Sequence, residues 1–426
     1  MNTKRLKVLL CCYACDPTQG SEPGAGWQFT RIISQQHDTH VIVEEKFKDN
    51  LELYARQHPE TFENITFHYI KRERHKTLRK IWPPSYYWYY RKWQKEAYLY
   101  AKALHAEHNF DLVHQITLAG YRVPGFLWKL DIPFIWGPIG GLNQTSWRLL
   151  PCMGIYGCIF YTFRNLINLF QKRWSKTARL AAQKAHTIIA SDPDTSHVIC
   201  NMWKRPPLIM REVGVHPSSS PHEIQEHTPE TPLRVCWAGV HVPRKALNLV
   251  IQALPLCSQK IHLDVLGAGP CSTAWQKLAK KLGVEHLITF HGRLPHNQVF
   301  DIMSRSHAFC LSSISEGGTT SIVMEALQQG LPIISLNHCA FATVTDDSCG
   351  IKINISSPKQ IATDFALALD KLAADEPLRL RLAEGAKKRS KQFTWDAKLT
   401  ILNRIYTNAA QPSCSCVPDY IYSNEC

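Results

Sequence analysis

Short apolar runs alternate along this chain with longer stretches in which apolar side chains recur every three or four positions. The short runs Lys7–Tyr13, His40–Glu44, Ile65–Ile70, Phe110–Thr117, Ile132–Trp136 and His186–Ser191 predict strands buried on both faces. After an interval the pattern repeats in Val235–Gly239, His262–Gly267, Ile288–Gly292, Ala308–Leu311, Pro332–Ser335 and Gly350–Ile353. Helical spacing lies between them, through Phe29, Ile32 and Ile33, around Leu51–Gln57, through Ala97–Leu104, near Pro124–Trp128, and from Asp192 onward. The second half adds helices over Ser272–Gly283, Val299–Ser306, Ile322–Leu327, Ile361–Leu372, Leu378–Phe393 and Trp395–Asn408. Strand and helix in alternation predict an α/β fold with parallel sheets.

A chain of 426 residues exceeds one comfortable core. The interval of about Val215 to Pro232 is rich in Pro, Ser, His and Glu and reads as a linker. The expected division is a first Rossmann-like domain at 1–214, a linker at 215–232 and a second Rossmann-like domain at 233–393. A closing helix at 394–410 and a poorly ordered tail at 411–426 complete it.

Chemistry gathers where predicted strands run into small-residue turns. The stretch Ser315-Glu316-Gly317-Gly318-Thr319-Thr320-Ser321 joins an apolar strand to a helix that ends at Gly330. Free backbone N–H groups and the positive end of a helix dipole there form an anion site. Glu316 and Glu325 flank it, and two acceptors beside a phosphate cradle fit a ligand that also carries hydroxyls, a nucleotide-sugar. The plainer alternative is a solvated loop acid and an ordinary helix acid. Other such turns are Gly20-Ser21-Glu22-Pro23-Gly24-Ala25-Gly26-Trp27, Trp136-Gly137-Pro138-Ile139-Gly140-Gly141, and Gly239 through Arg244 and Lys245. None has the spacing of a dinucleotide fingerprint.

In these motifs the chain resembles retaining glycosyltransferases of family 4, the glycosyl transferases group 1 type. The resemblance covers about residues 7–408. It implies the GT-B fold: two Rossmann-like domains facing each other across a cleft, with a terminal helix crossing back. The implied activity is transfer of a sugar from a nucleotide-sugar to a glycan or lipid-linked acceptor with retention, in cell-surface polysaccharide synthesis. Lys245 falls on the lysine that grips the diphosphate, whereas Val240 stands where the family has arginine, and Arg244 is the nearest substitute. Glu325 is implied at the ribose. Glu316 and His114 are implied at the sugar as catalytic groups beside Lys245, and Gly317, Gly318, Thr319 and Thr320 at the sugar and phosphates. Gly20, Gly24, Gly26, Gly140 and Gly141 fall on the acceptor or phosphate side. The family encloses seven residues between its two acids, this chain eight, and the extra glycine is expected to be absorbed in the turn. No separate base and no metal are implied, and no Asp-x-Asp stands at a candidate strand end. The missing arginine and altered spacing leave open a non-catalytic GT-B scaffold in a polysaccharide assembly complex. A GT-B epimerase or phosphorylase is a further alternative.

Charge adds a partner. The net charge is +14, and between Lys71 and Lys95 nine Lys or Arg face one acid, interleaved with Trp82, Tyr86, Tyr87, Trp88, Tyr89, Tyr90 and Trp93. Cations with rings suit an anionic membrane surface, and this is the expected partner rather than nucleic acid. The run Leu149–Phe170, followed by Lys172, Arg173, Lys176 and Arg179, reads either as an interfacial helix or as a buried insertion. It is too interrupted by Pro151, Gly154 and Gly157 to span a bilayer. Met1–Lys7 is basic, but the apolar residues that follow suit a strand rather than a signal segment. The 15 cysteines are scattered, without zinc spacing. A cytoplasmic protein, peripheral at the inner face of the membrane, is expected.

Overall fold

The computed structural model describes residues 5–73, 77, 85–215, 223–316, 318 and 320–411. The expected tail from 412 onward and most of Arg74–Pro84 lie outside the described residues. The chain forms two compact units, one from 1–142, 171–213 and 395–426, the other from 143–170 and 214–394.

The first unit is built on seven strands: β1 (Lys7–Cys12), β2 (Asp38–Glu44), β3 (Ile65–Ile70), β4 (Leu112–Thr117), β5 (Phe134–Ile139), β6 (Thr187–Ala190) and β7 (Leu208–Ile209). Their order is β3-β2-β1-β4-β5-β6-β7, all parallel. The second carries β8 (Leu233–Ala238), β9 (Ile261–Leu266), β10 (Ile288–Gly292), β11 (Ala308–Leu311), β12 (Ile333–Leu336) and β13 (Gly350–Ile353), ordered β10-β9-β8-β11-β12-β13 and again parallel. Helices covering both faces explain why these strands are nearly continuous apolar runs. In each sheet the winding reverses beside the first strand, between β1 and β4 and between β8 and β11. Ligands of open α/β sheets sit beyond the carboxyl ends of strands at that reversal.

Three local departures have physical causes. The helix expected near Pro124–Trp128 is only a single 3-10 turn, Leu127–Lys129. Pro124 cannot donate to a helix, and Gly125 sits at φ +72° with its carbonyl accepting from the Trp128 indole. Strand β7 was not expected, because two residues are too short to show a pattern. Residues 143–170, expected with the first domain, pack on the second unit: Leu149, Leu150 and Met153 join the core around Leu247 and Val250.

The basic aromatic segment is also different from a free surface loop where it is described. Helix Ser85–His108 buries Tyr90 and Trp93, whose rings meet Tyr13 edge-on at 5.0 and 4.9 Å. Arg72 donates to the Tyr13 hydroxyl, and Lys92 pairs with Glu73 at 2.7 Å. The closing helix Trp395–Ala410 packs on the first unit, with Trp395 edge-on to Phe29 at 5.2 Å. Its Lys398 is buried and donates to the carbonyls of Arg211 and Val213, and burial lowers its pKa to about 7. Apart from Cys200, which is disulfide-bonded, the described cysteines are free thiols.

Candidate active site

In the second unit the loops after β8 and β11 are stitched together at the reversal of the sheet. After β8 the chain makes a 3-10 turn, Pro243–Lys245, and Ala246 adopts a left-handed conformation at φ +46° before helix Leu247–Ala253 begins. The Ser312 hydroxyl donates to the Lys245 carbonyl at 2.8 Å, and Ile314 N–H donates to the Arg244 carbonyl at 2.9 Å. The Trp237 indole in turn donates to Ser312 at 3.0 Å. These bonds fix the backbone of both loops, so the side chains of Arg244, Lys245 and Glu316 are placed by neighbours rather than by solvent.

The three charges converge. Lys245 Nζ lies 2.6 Å from Glu316 Oε1, and Arg244 Nη1 pairs with Glu316 Oε2 while also donating to the Ser315 carbonyl at 3.1 Å. Lys245 and Glu316 are buried, and burial lowers the Lys245 pKa, with Glu316 opposing the shift. Two cations and one carboxylate leave a net positive charge at a strand end. Such a site attracts an anion, and low-dielectric surroundings strengthen the pull. Arg244 therefore brings its charge to the same carboxylate as Lys245, from a different backbone position than Val240, which is 58% exposed.

Helix Ser321–Gln328 follows, with Thr320 at its N-cap in extended conformation and no side-chain cap. The Thr320 hydroxyl is shielded from solvent and has no hydrogen-bond partner among the described residues. Gly318 is half-buried beside it, whereas Gly317 and Thr319 lie outside the described residues. Glu325 is half-buried on that helix and accepts from His296 Nε2 at 3.3 Å, which raises the His296 pKa.

Three residues that the sequence did not mark also belong here. Thr145 donates to Ser315 Oγ at 3.0 Å, and Arg164 reaches the same oxygen at 3.4 Å. Tyr161 stacks under the Arg164 guanidinium at 5.5 Å. A lone arginine in the apolar run from Cys158 to Phe170 was the available signal.

In the first unit the glycine turn is organised by buried Asp16. It accepts from Thr18 N–H at 2.8 Å, from the Thr18 hydroxyl and Gln19 amide at 2.7 Å, and from Asn50 at 2.8 Å. Gly24 and Gly26 are demanded by packing: a Cβ would come within 2.4 Å of the Gln19 carbonyl oxygen and 2.1 Å of that of Ala14. Gly20 and Gly141 have open space where a Cβ would stand, and Gly140 is half-buried beyond β5.

The reading of His114 as a sugar contact is corrected. His114 sits mid-strand in β4, fully buried, on the face covered by the closing helix. Its Nε2–H donates to the Gly137 carbonyl at 2.8 Å, and Nδ1 is 2.7 Å from the Tyr406 hydroxyl. A neutral ring satisfies both, and burial accordingly lowers its pKa to about 4. Neither nitrogen is left for a ligand.

Two parallel Rossmann-like units, one with a cationic strand end, form the GT-B fold, and solved structures share it. HepE of Anabaena, in complex with UDP and glucose, matches with a TM-score of 0.60 over 95% of this chain and 100% of its own, at 13% identity. Sucrose-phosphate synthase of Thermosynechococcus elongatus gives 0.63 over 95% and 99%, at 14% identity. More particularly, residues 220–389 match the model of the family described as glycosyl transferases group 1. D-inositol 3-phosphate glycosyltransferase of Corynebacterium aurimucosum is 29% identical over 144 residues, 34% of this chain and 33% of its own length. The enzyme of the same name from Stackebrandtia nassauensis is 28% identical over 197 residues, 43% of each chain. The chain thus matches less than half the length of these curated relatives.

Proposed function

We propose that the protein is a glycosyltransferase that moves a sugar from a nucleotide-sugar to a hydroxyl on a glycan or lipid-linked acceptor, with retention, in cell-surface polysaccharide synthesis. The observation that carries this reading is the convergence of Lys245 and Arg244 on Glu316 at the reversal of the second sheet. The group 1 match over 220–389, and the UDP and glucose bound by HepE, support it.

In this reading the donor diphosphate takes the place of the Glu316 carboxylate between the two cations. The Thr320 hydroxyl and the Gly318–Thr320 amides are assigned to complete its cradle. Glu325 holds the ribose, and Glu316, released from its ion pairs, accepts from sugar hydroxyls. The bond from the anomeric carbon to the diphosphate oxygen breaks, and the acceptor oxygen bonds to that carbon on the same face. The acceptor proton passes to the departing phosphate oxygen, so no separate base is assigned. Charge building on the leaving oxygen is met by donors fixed in advance, the large term in such catalysis. The neutralising charge comes from Lys245 and Arg244, and no metal is assigned a part. Gly20 and the Gly140–Gly141 turn are placed on the acceptor side, and the protein on the cytoplasmic face of an anionic membrane.

Incubation with a panel of nucleotide-sugars and acceptors, with nucleotide release followed by chromatography and anomeric configuration by NMR, tests this. Nucleotide release with an α-linked product from an α-donor is expected. A donor that binds but never turns over would favour the scaffold reading, to which exposed Val240 at the family's arginine position lends support. Absence of binding by any nucleotide-sugar overturns the transferase reading.

A further inference from the structure

Helix Gly154–Trp174 is turned inside out. Its buried positions include Asn165 and Asn168, both fully buried, and Asn165 exchanges hydrogen bonds with the Thr145 backbone at 2.8 and 3.1 Å. Its outward positions are apolar: Ile155 is 84% exposed, Tyr156 82%, Phe163 62%, Leu166 50%, Phe170 66% and Trp174 67%. A helix facing water shows the opposite arrangement. A contiguous apolar face of this size marks a surface that meets something other than water.

Charge selects the occupant. From Ile132 to Ser191 there is no Asp or Glu, while Arg148, Arg173, Lys176, Arg179 and Lys184 are exposed. Rings stand at both ends of the helix, Tyr156 at one and Trp174 at the other, as in segments that lie at a headgroup boundary. Among the described residues no helix is long and apolar enough to cross a membrane. An apolar face, a cationic flank and insufficient length to span describe a helix lying in the plane of an interface. A second copy would bring the same cations against these, which like charge disfavours. The segment Lys71–Lys95 is a weaker candidate, since its Tyr90 and Trp93 are spent in the core.

We propose that helix Gly154–Trp174 docks the protein on an anionic phospholipid bilayer, its outward apolar side chains among the acyl chains and Arg173, in its last turn, at the headgroups. This rests on the membrane-side location given above and names the surface that makes the contact. The test is flotation of the full chain with vesicles of phosphatidylcholine, with and without about one third phosphatidylglycerol, a mixture whose negative surface potential draws basic segments. The wild type is expected to float with anionic vesicles. Phe163→Asp/Leu166→Asp/Phe170→Asp should lose at least about tenfold in partitioning, because the binding of an interfacial helix scales with the apolar area it buries. Arg173→Glu/Lys176→Glu/Arg179→Glu should lose the preference for anionic lipid and the sensitivity to salt. An unchanged melting temperature shows that each variant is folded; should the apolar variant not fold, the charge variant alone decides.

Wild type and both variants floating alike would place the docking surface elsewhere and leave the membrane location standing. A wild type that floats with no vesicle overturns the location as well. A wild-type dimer by light scattering, converted to monomer by the apolar variant without any flotation, would assign the face to a second copy and overturn the proposal.

Discussion

His114 and Lys245 are both buried polar side chains in the parallel-sheet part of a Rossmann-like unit, yet they are held in opposite ways. His114 lies within a strand and meets neutral partners at both nitrogens, the Gly137 carbonyl and the Tyr406 hydroxyl. Lys245 lies beyond the end of β8 and, among the described residues, its ammonium pairs with a carboxylate for which Arg244 competes. A neutral, fully satisfied network contributes to the core and has nothing left to offer a ligand. A charge cluster whose members answer chiefly to each other can exchange one partner for a ligand of like charge. The comparison teaches that burial alone does not separate structural from functional polar groups, whereas the state of their hydrogen bonds does.

Lys245→Ala breaks the comparison most sharply. Removing one donor fixed at a developing charge costs about a hundred- to a thousandfold in turnover, so nucleotide release under saturating donor should fall by that factor. Turnover within threefold of wild type would take Lys245 out of the phosphate site. Glu325→Gln comes next: loss of a charged hydrogen bond to a ribose hydroxyl should weaken donor binding by about 1.5–3 kcal/mol. Calorimetry reads this directly, and unchanged affinity would return Glu325 to an ordinary partner of His296.

The histidine side of the comparison predicts stability effects. His114→Ala leaves the Gly137 carbonyl and Tyr406 hydroxyl buried without partners, at about 1–3 kcal/mol, measurable by urea unfolding. Donor affinity of the folded fraction should not change. The pH dependence sharpens this. The pKa of His114 is lowered to about 4 in the folded protein, against an ordinary value of about 6.5. Between these values the unfolded chain binds a proton that the folded chain refuses, so stability falls as pH falls. The contribution is fully present above about pH 6.5 and is lost on descending to about pH 4, and His114→Ala should flatten that slope. His68 and His307, also lowered to about 4 by burial, add to the wild-type slope and remain in the variant.

Much of this architecture was legible because parallel strands buried on both faces leave unmistakable apolar runs. All six strands of the second sheet were expected from Val235, His262, Ile288, Ala308, Pro332 and Gly350 onward, and observed there within a few residues. Boundaries set by long-range packing were not legible. Nothing in Leu149–Phe170 says that Leu149 and Met153 pack with Leu247 rather than with the first sheet. The charge cluster was half legible: Lys245 and Glu316 stood in recognisable motifs, and Arg244 was named as a substitute. The bonds joining Ile314 to Arg244 and Ser312 to Lys245, which bring them together, span some seventy residues and leave no local pattern. His114 misled because a histidine in a buried strand reads the same whether its partner is a sugar or Tyr406, 292 residues away.

The smallest expected effect discriminates most finely, and it concerns the glycine turn of the first unit. Gly26 is required by the Ala14 carbonyl whatever the ligand, so its replacement could not tell packing from binding. Gly20 differs: its φ is −81°, available to any residue, and no atom stands within 4 Å of where its Cβ would be. Alanine there loses a little as an N-cap and gains a little by restricting the unfolded chain, leaving stability within about 0.5 kcal/mol of wild type. If an acceptor approaches the backbone at Gly20, the added methyl intrudes on it, and the KM for acceptor should rise several-fold while the donor Kd and the melting temperature hold. If the turn only starts helix Ser21–Ser34, acceptor KM, donor Kd and melting temperature all stay put, and Gly20 joins Gly26 as architecture.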